Sequence, residues 1–273
     1  ICEIESPKGY VLSEEEIAVT IGKVDEVVEI ELVNYFIKGN IALTKVDEDY
    51  PDNKLSGAVF EVYSDTNGDG KLDKDDTLLG EMKELDGGVY QMSELRYGKY
   101  LVKETKAPTG FVLDEDVYAV SIEENGKTYT VENKAGVGFI NAAQKGSLKI
   151  VKTSSDGKVE GFSFRVTGVD YDQTFKTDKN GEIVIEGLRI GDYTVSEVND
   201  KASAGYILPA DKQVTVKVDA TAIVQMHNEF RDTPKTGDDF NLGLWVSLAV
   251  LSVVGAGVLG FVGYKNRKKK KED

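Results

Sequence analysis

The chain has 273 residues, which is enough for more than one compact domain. Its 33 basic and 48 acidic residues give a formal net charge of −15, which argues against nucleic-acid binding because that function needs a basic surface. The single cysteine and single histidine exclude an internal disulfide and a histidine–cysteine metal cluster, and they limit acid–base catalysis. The chain begins at Ile1 without a secretion leader, so we interpret it as part of a longer protein.

Most of the chain has the pattern of an all-β protein. Runs rich in Val, Ile, Thr and Tyr are separated by Gly, Asn and Asp turns, and no convincing long helical period interrupts them. Residues 2–12, 100–113 and 193–208 resemble one another, which indicates a repeated unit.

Two predicted strands place a lysine where an apolar residue is expected. In "GNIALTK" (39–45) and "GSLKIVK" (146–152) every second residue faces the core, and the next positions on that face are Lys45 and Lys152. A buried, unpaired charge is costly, so these lysines need a chemical reason to be buried. The alternative for each one alone is a strand-end lysine that extends to water.

Residues 65–76, "DTNGDGKLDKDD", fit the twelve-position calcium loop, with Gly70 at the turn. The predicted ligands are Asp65, Asn67, Asp69, Lys71 through its backbone carbonyl, Asp73 and Asp76. The last ligand is aspartate where glutamate is usual, and the flanking runs resemble strands, so the loop would lie on a β-hairpin. The alternative is an acidic, glycine-rich turn. No other cofactor is expected.

A glutamate and an asparagine recur after each lysine, again at the ends of apolar faces. They are Glu104 and Asn141 in the first complete unit, Glu197 and Asn228 in the second, and Glu3 and Asn34 at the start of the chain. The lysine that matches the last pair is expected to precede Ile1. Taken singly, a glutamate usually pairs with a neighbour and an asparagine usually caps a turn. The recurrence of all three residues in one order favours a shared role.

The run "YLVKETKAPTGF" (100–111) closely matches the E-box of SpaA-like pilin domains of Gram-positive surface proteins, and the resemblance covers essentially all of residues 1–231. It implies tandem Ig-like, prealbumin-like (Cna B-type) β-sandwiches in which lysine, glutamate and asparagine form an intramolecular isopeptide bond. Burial favours the neutral amine and protonated acid that such a reaction needs. The implied assignments are Lys45 bonded to Asn141 with Glu104 as proton shuttle, and Lys152 bonded to Asn228 with Glu197 as proton shuttle.

The carboxyl end resembles a sortase sorting signal. Its pentapeptide consists of Thr233, Pro234, Lys235, Thr236 and Gly237, with threonine in the first position where leucine is usual. An uncharged apolar run follows at 242–264, long enough to cross a membrane core of roughly 30 Å, and then a lysine-rich tail. The alternative for this run is a buried core helix. The resemblance implies that a sortase cleaves Thr236–Gly237 and joins the threonine carbonyl to peptidoglycan.

These features predict six segments. They are the end of a truncated domain (1–38), two β-sandwich domains (39–144 and 145–231), the sorting signal and linker (232–241), a transmembrane helix (242–264) and a cytoplasmic tail (265–273).

The leading interpretation is an extracellular, wall-anchored structural or adhesive protein that is not a turnover enzyme. Its expected partners are sortase and peptidoglycan. A host or extracellular ligand of the missing amino-terminal region is left open. The alternatives are a sortase-polymerised pilus subunit and a wall-anchored enzyme whose catalytic domain lies upstream.

Overall fold

The computed structural model describes residues 1–231, so the sorting signal and the apolar run predicted at 242–264 lie outside the described residues. Within that range, no helical segment has the length and apolarity that a membrane crossing requires. The strands in chain order are β1 (Lys38–Asp47), β2 (Val59–Ser64), β3 (Thr77–Glu81), β4 (Lys83–Glu84), β5 (Val89–Arg96), β6 (Gly98–Lys106), β7 (Val117–Ile122), β8 (Thr128–Thr130), β9 (Phe139–Asn141), β10 (Lys145–Ser154), β11 (Ser163–Gly168), β12 (Tyr171–Lys176), β13 (Glu182–Arg189), β14 (Gly191–Glu197), β15 (Tyr206–Ile207), β16 (Lys212–Val216) and β17 (Thr221–Phe230).

The strands form two domains, each with two sheets. In the first domain, β1–β9, one sheet has the order β4-β5-β1-β8 with β9 also paired to β1, and the other has the order β3-β2-β6-β7. In the second domain, β10–β17, the orders are β13-β10-β17-β15 and β12-β11-β14-β16. Each domain buries its own apolar cluster, centred on Phe60 and Phe139 in the first and on Phe162 and Phe164 in the second. Each therefore has a core of its own, as an independently folding domain requires.

The first and last strands of each domain pair in parallel, which brings distant parts of the chain together. In the second domain β10 pairs with β17 over eight residues, from Ser147 opposite Thr221 to Ser154 opposite Asn228. In the first domain β1 pairs with the short β8 at one end and with β9 at the other. The last strand is thus split there into β8 and β9.

A glycine near the start of each lysine strand allows close backbone packing. A Cβ atom on Gly39 would lie 2.8 Å from the Lys127 carbonyl oxygen, and one on Gly146 would lie 2.2 Å from the Lys217 carbonyl oxygen. The pairing register shifts directly after each glycine. Beyond that shift burial alternates regularly, and both lysines face the core as predicted.

Residues 1–37 pack against the amino-terminal end of the first domain and contain no named strand. Isolated bridges join Cys2 to Glu16 and Tyr10 to Phe36. The Arg96 guanidinium of the first domain lies 4.0 Å from the centroid of the Phe36 ring.

An arginine joins the two complete domains. Arg189, at the end of β13, donates two hydrogen bonds to the carboxylate of Asp47 at 2.7 and 2.8 Å and one to Asp49 at 2.9 Å. The side chains of Arg189 and Asp47 are only 14% and 3% exposed, and Lys145 adds a contact of 3.2 Å to Asp49. The rings of Tyr50 and Phe111 lie near the guanidinium. The junction is therefore a buried, bidentate ion pair rather than a loose linker.

The junction should weaken in acid. Burial acts to raise the pKa of Asp47, but hydrogen bonds from Arg189 and from the Asp49 N–H outweigh it and hold that pKa below its ordinary value. A depressed carboxylate pKa contributes stability above the unfolded-state value of about 3.9, and this contribution is lost as the pH falls through the folded-state value. We expect domain docking to be lost below about pH 4, as measured by small-angle scattering, and Asp47→Asn should remove this pH dependence. Docking that is unchanged down to pH 2 would contradict the assignment.

Candidate cross-linking sites

The two lysines of the sequence pattern lie deep in the cores. Lys45 is 0% and Lys152 is 1% exposed, which is unusual for a side chain that is charged in water. Each ammonium nitrogen lies over an aromatic ring, Lys45 at 4.9 Å from the Phe139 centroid and Lys152 at 4.4 Å from the Phe162 centroid. The rings exclude water from both nitrogens.

In the first domain the structure brings all three predicted residues together. Lys45 Nζ lies 3.7 Å from Glu104 Oε1, and the amide nitrogen of Asn141 donates to Glu104 Oε2 at 2.8 Å. The strand register sets this geometry, because Lys45 pairs with Phe139 and the asparagine follows two residues later on the same face. Lys45 Nζ also donates to the Phe139 carbonyl oxygen at 3.1 Å.

A second set of polar residues holds Glu104 in place. The Asp114 N–H donates to Glu104 Oε2 at 2.8 Å. The Asp114 carboxylate in turn accepts from Tyr118 at 2.8 Å and from Asn133 at 2.7 Å. The sequence pattern did not single out Asp114. Its spacing could have identified it, because Asp114 follows Glu104 by ten residues, as Ser13 follows Glu3.

The second domain repeats the arrangement with two differences, of which the first is that Glu197 is half-buried whereas Glu104 is fully buried. The amide nitrogen of Asn228 donates to Glu197 Oε1 at 2.6 Å, and Asn228 again lies two residues beyond the register partner of Lys152. Lys152 Nζ, however, donates to the Thr153 carbonyl oxygen at 2.5 Å. The lysine of this site therefore has its hydrogen bond to the main chain of its own strand.

Unpaired buried atoms concentrate at these two sites. Within residues 1–231, the buried side-chain nitrogen and oxygen atoms without a hydrogen-bond partner are Glu104 Oε1, Asn141 Oδ1, Glu197 Oε2 and Asn228 Oδ1. An ionised carboxylate and an amide carbonyl can only accept hydrogen bonds, so these oxygens cannot satisfy one another. A proton on each glutamate would supply the missing donor.

Burial also shifts the protonation equilibria in the direction that amide formation needs. Desolvation raises the pKa of Glu104 and of Glu197, which favours the protonated acids. It lowers the pKa of Lys45 to about 8 and lowers that of Lys152, which favours the neutral amines. A neutral amine is the nucleophilic form of lysine.

The start of the chain carries the same pair in a more open setting. The Asn34 amide nitrogen donates to both Glu3 oxygens, at 2.8 and 2.9 Å, and the Ser13 N–H donates to Glu3 Oε2 at 2.8 Å. Both side chains are half-buried, and Asn34 lies outside any named strand. That the matching lysine precedes Ile1 stays a prediction.

The predicted calcium loop is closed by its own hydrogen bonds. The Asp65 carboxylate accepts from the N–H groups of Gly68 and Gly70, and the Asp76 carboxylate accepts from those of Thr66 and Asp73. Asn67 donates to Asp73, and Asp69 accepts from the Lys71 N–H. In residues 1–231 no group of three or more His, Cys, Asp or Glu side chains is arranged to hold a metal ion. Calcium binding by this loop stays a prediction.

A titration tests it. If residues 65–76 bind calcium, millimolar calcium should release or absorb heat and raise the melting temperature of the first domain, because extracellular sites bind at roughly 0.1–1 mM. The variant Asp69→Ala should abolish both effects, whereas Asp192→Ala in the second domain should not. If added calcium neither releases or absorbs heat nor changes the melting temperature, residues 65–76 form an acidic turn that does not bind calcium.

Comparisons with known proteins place the chain in a family. A family model described as a SpaA prealbumin-like fold domain matches residues 39–135 and 146–230. Among solved structures, the Bacillus anthracis TIE protein is 27% identical over 84% of this chain and 41% of its own, with a TM-score of 0.64, so this chain spans less than half of it. No curated protein sequence matches.

Two pilins are among the solved structures that match at lower similarity. GBS52, a minor pilin of Streptococcus agalactiae, is 17% identical over 73% of this chain and 99% of its own, with a TM-score of 0.33. The shaft pilin SpaA of Lactobacillus rhamnosus GG is 15% identical over 71% and 98%, with a TM-score of 0.32. The family match confirms the predicted all-β, prealbumin-like sandwiches, and the chain belongs to the SpaA prealbumin-like domain family.

Proposed function

We propose that this chain is the wall-proximal part of a Gram-positive cell-surface protein, and that an isopeptide bond closes each of its two complete domains. The domains form a structural or adhesive stalk, and a sortase attaches the stalk to peptidoglycan. The observation that carries the first part is the pair of buried lysine–glutamate–asparagine sites, which contain all four unpaired buried side-chain atoms of residues 1–231.

The proposed reaction needs no external reagent. The neutral Nζ of Lys45 attacks the side-chain carbonyl carbon of Asn141, a C–N bond forms, and the amide nitrogen leaves as ammonia. Protonated Glu104 polarises the carbonyl by hydrogen bonding and transfers the proton that the amine loses to the leaving nitrogen. Lys152, Asn228 and Glu197 react in the same way. The reaction consumes its own side chains once, so we do not propose a turnover enzyme.

The isopeptide bond removes the free-energy penalty of burying a charged lysine. An amide carries no charge, so the desolvation penalty of a buried ammonium disappears once it forms. A link between the first and last strands also constrains the unfolded chain. By analogy with a disulfide across a loop of this size, we expect it to contribute roughly 4–5 kcal/mol to the free energy of unfolding.

The anchoring part of the proposal is supported by the sequence of residues 233–273. A sortase pentapeptide, an apolar run and a basic tail follow one another in order, which is far more specific than the pentapeptide alone. The proposed cleavage is at Thr236–Gly237. The sortase and any ligand of the upstream region are partners of the whole protein.

Intact mass spectrometry of residues 1–231 tests the cross-links. Each bond should remove about 17 Da, the mass of ammonia, and two such losses are expected. Tandem spectra should join Lys45 to Asn141 and Lys152 to Asn228. A chain that retains the full mass of its sequence after complete folding would refute the proposed bonds and leave both lysines as ordinary buried side chains.

A pilus subunit is the second candidate, favoured by the E-box match at residues 100–111. A subunit polymerised by sortase would appear in wall extracts as a ladder of covalent multimers. A wall-anchored stalk would appear as a single species linked to peptidoglycan fragments.

A further inference from the structure

The three glutamates differ in one hydrogen bond. Each accepts from the side-chain amide of its asparagine. Glu3 and Glu104 each accept a second bond, from the main-chain N–H of the residue ten positions later, and both of these bonds measure 2.8 Å. Within residues 1–231, Glu197 lacks this second bond and accepts only from the Asn228 amide.

The strand pairing identifies the equivalent residue in the second domain. In every unit an aromatic residue pairs with the residue two positions after the asparagine: Tyr10 with Phe36, Phe111 with Ala143 and Tyr206 with Phe230. The donor lies three positions beyond the aromatic residue, and the three equivalent residues are Ser13, Asp114 and Pro209. Proline has no N–H, so it cannot make the bond. The missing bond of Glu197 therefore has a cause in the sequence.

We propose that this position tunes the cross-linking reaction of each domain, because an N–H donor there stabilises the ionised glutamate and Pro209 withholds that donor from Glu197. The inference rests on the proposed cross-linking. Its consequence is that the Asp114 N–H favours the ionised form of Glu104, whereas the missing donor at Pro209 leaves the protonated form of Glu197 unopposed by such a bond.

The other charged groups around the two glutamates are similar in kind. Lys45 faces Glu104 and Lys152 faces Glu197, and each acts to lower the pKa of its glutamate. One carboxylate opposes this effect in each domain, Asp114 in the first and Asp200 in the second. Asp156 acts on Lys152 and raises the pKa of that amine. The main-chain donor thus separates the two glutamates in addition to two other differences, which are the partial burial of Glu197 and the bond from Lys152 to Thr153.

The reactive form holds a proton on the glutamate and none on the lysine. When the glutamate has the lower pKa, the population of this form is constant at pH values between the two pKa values, and it falls about tenfold for each unit by which the glutamate pKa decreases. Below the glutamate pKa the population depends on the lysine alone. A change at position 209 should therefore alter the rate at neutral pH and leave it unchanged in acid.

The test is a pH profile of cross-linking in Pro209→Ala, which restores an N–H at this position. Residues 1–231, which contain both cores in full, are isolated unfolded in denaturant and refolded by dilution into buffers from pH 4 to 9. Samples are quenched over time and digested, and the cross-linked peptide of each domain is quantified. The Lys45–Asn141 peptide in the same molecules is the internal control. The variant Pro51→Ala, in an exposed turn of the first domain, is the control for replacing a proline at an unrelated position.

We expect Pro209→Ala to slow cross-linking of the second domain at neutral pH, about tenfold for each unit by which the Glu197 pKa decreases. The cross-linking rate of the second domain at the acid end of the range, and that of the first domain at every pH, should stay unchanged. An unchanged profile, or an equal slowing at every pH, would overturn the inference. Absence of ammonia loss from the wild-type chain would instead overturn the proposed function, and the inference with it.

A reciprocal pair keeps the test decisive if Pro209→Ala folds poorly. Asp114→Ala and Asp114→Pro both remove the carboxylate, but only the second removes the N–H donor to Glu104. Cross-linking of the first domain at neutral pH should be faster in Asp114→Pro than in Asp114→Ala. Equal rates at neutral pH would overturn the inference.

Discussion

Replacing Glu104 with alanine is expected to leave the first domain folded but without a bond between Lys45 and Asn141. The chain of residues 1–231 should then be heavier by about 17 Da than expected from the substitution alone, because one ammonia is retained. Loss of roughly 4–5 kcal/mol of stabilisation should lower the melting temperature of this domain by about 20 °C or more. Mass spectrometry and calorimetry measure the two effects.

Glu197→Ala is the reciprocal control. It should remove only the bond of the second domain and lower only the second melting transition, because each domain has its own core. If Glu104→Ala keeps the wild-type ammonia loss and melting temperature, Glu104 does not take part in the reaction.

Arg189→Ala is expected to separate the two domains. The substitution removes the three hydrogen bonds that Arg189 makes across the junction and leaves the Asp47 carboxylate buried without its cation, while Lys145 still contacts Asp49. Truncating one partner of a buried, hydrogen-bonded charge pair costs about 2–5 kcal/mol, and here most of that cost should fall on docking. Small-angle scattering of residues 1–231 should show a broader distribution of domain orientations, and proteolysis between residues 142 and 145 should become faster.

Arg165→Ala provides the matched control. Arg165 also makes a bidentate pair with an aspartate, Asp172, but both side chains are more than half exposed. Exposed pairs are worth about 0–1 kcal/mol, so scattering and proteolysis should stay as in the wild-type chain. Equal behaviour of the two variants would show that the Arg189 pair does not hold the junction.

The sequence predicted the face on which each reactive residue lies, because strands have a strict two-residue period. Lys45, Lys152, Glu104 and both asparagines are buried where the alternation put them. It could not identify the Asp114 donor, because a main-chain N–H has no side-chain signal and only the comparison of three units reveals its spacing. The Arg189–Asp47 pair was also hidden, because it joins residues 142 positions apart across a junction whose geometry depends on two folded domains.

Two other features show where patterns stop being informative. The calcium motif specifies the types of its ligands, but the direction of each carboxylate depends on the local hydrogen bonds, and within residues 1–231 no three acidic, His or Cys side chains are grouped to hold a metal ion. The last strand of the first domain is split into β8 and β9, because Gly136 and Gly138 adopt positive φ angles and interrupt the extended chain.

The parallel pairing of first and last strands determines how each domain responds to tension. In the second domain the chain enters at the start of β10 and leaves at the end of β17, which lie at opposite ends of one strand pair. A pull on the termini therefore shears eight residue pairs together instead of peeling them apart singly. With Lys152 joined to Asn228, the loaded path is about one strand long, roughly 33 Å, and β11–β16 bear no load. An unlinked domain that unravelled would lengthen by an amount on the order of 250 Å, so the bond converts an extensible module into a link of fixed length.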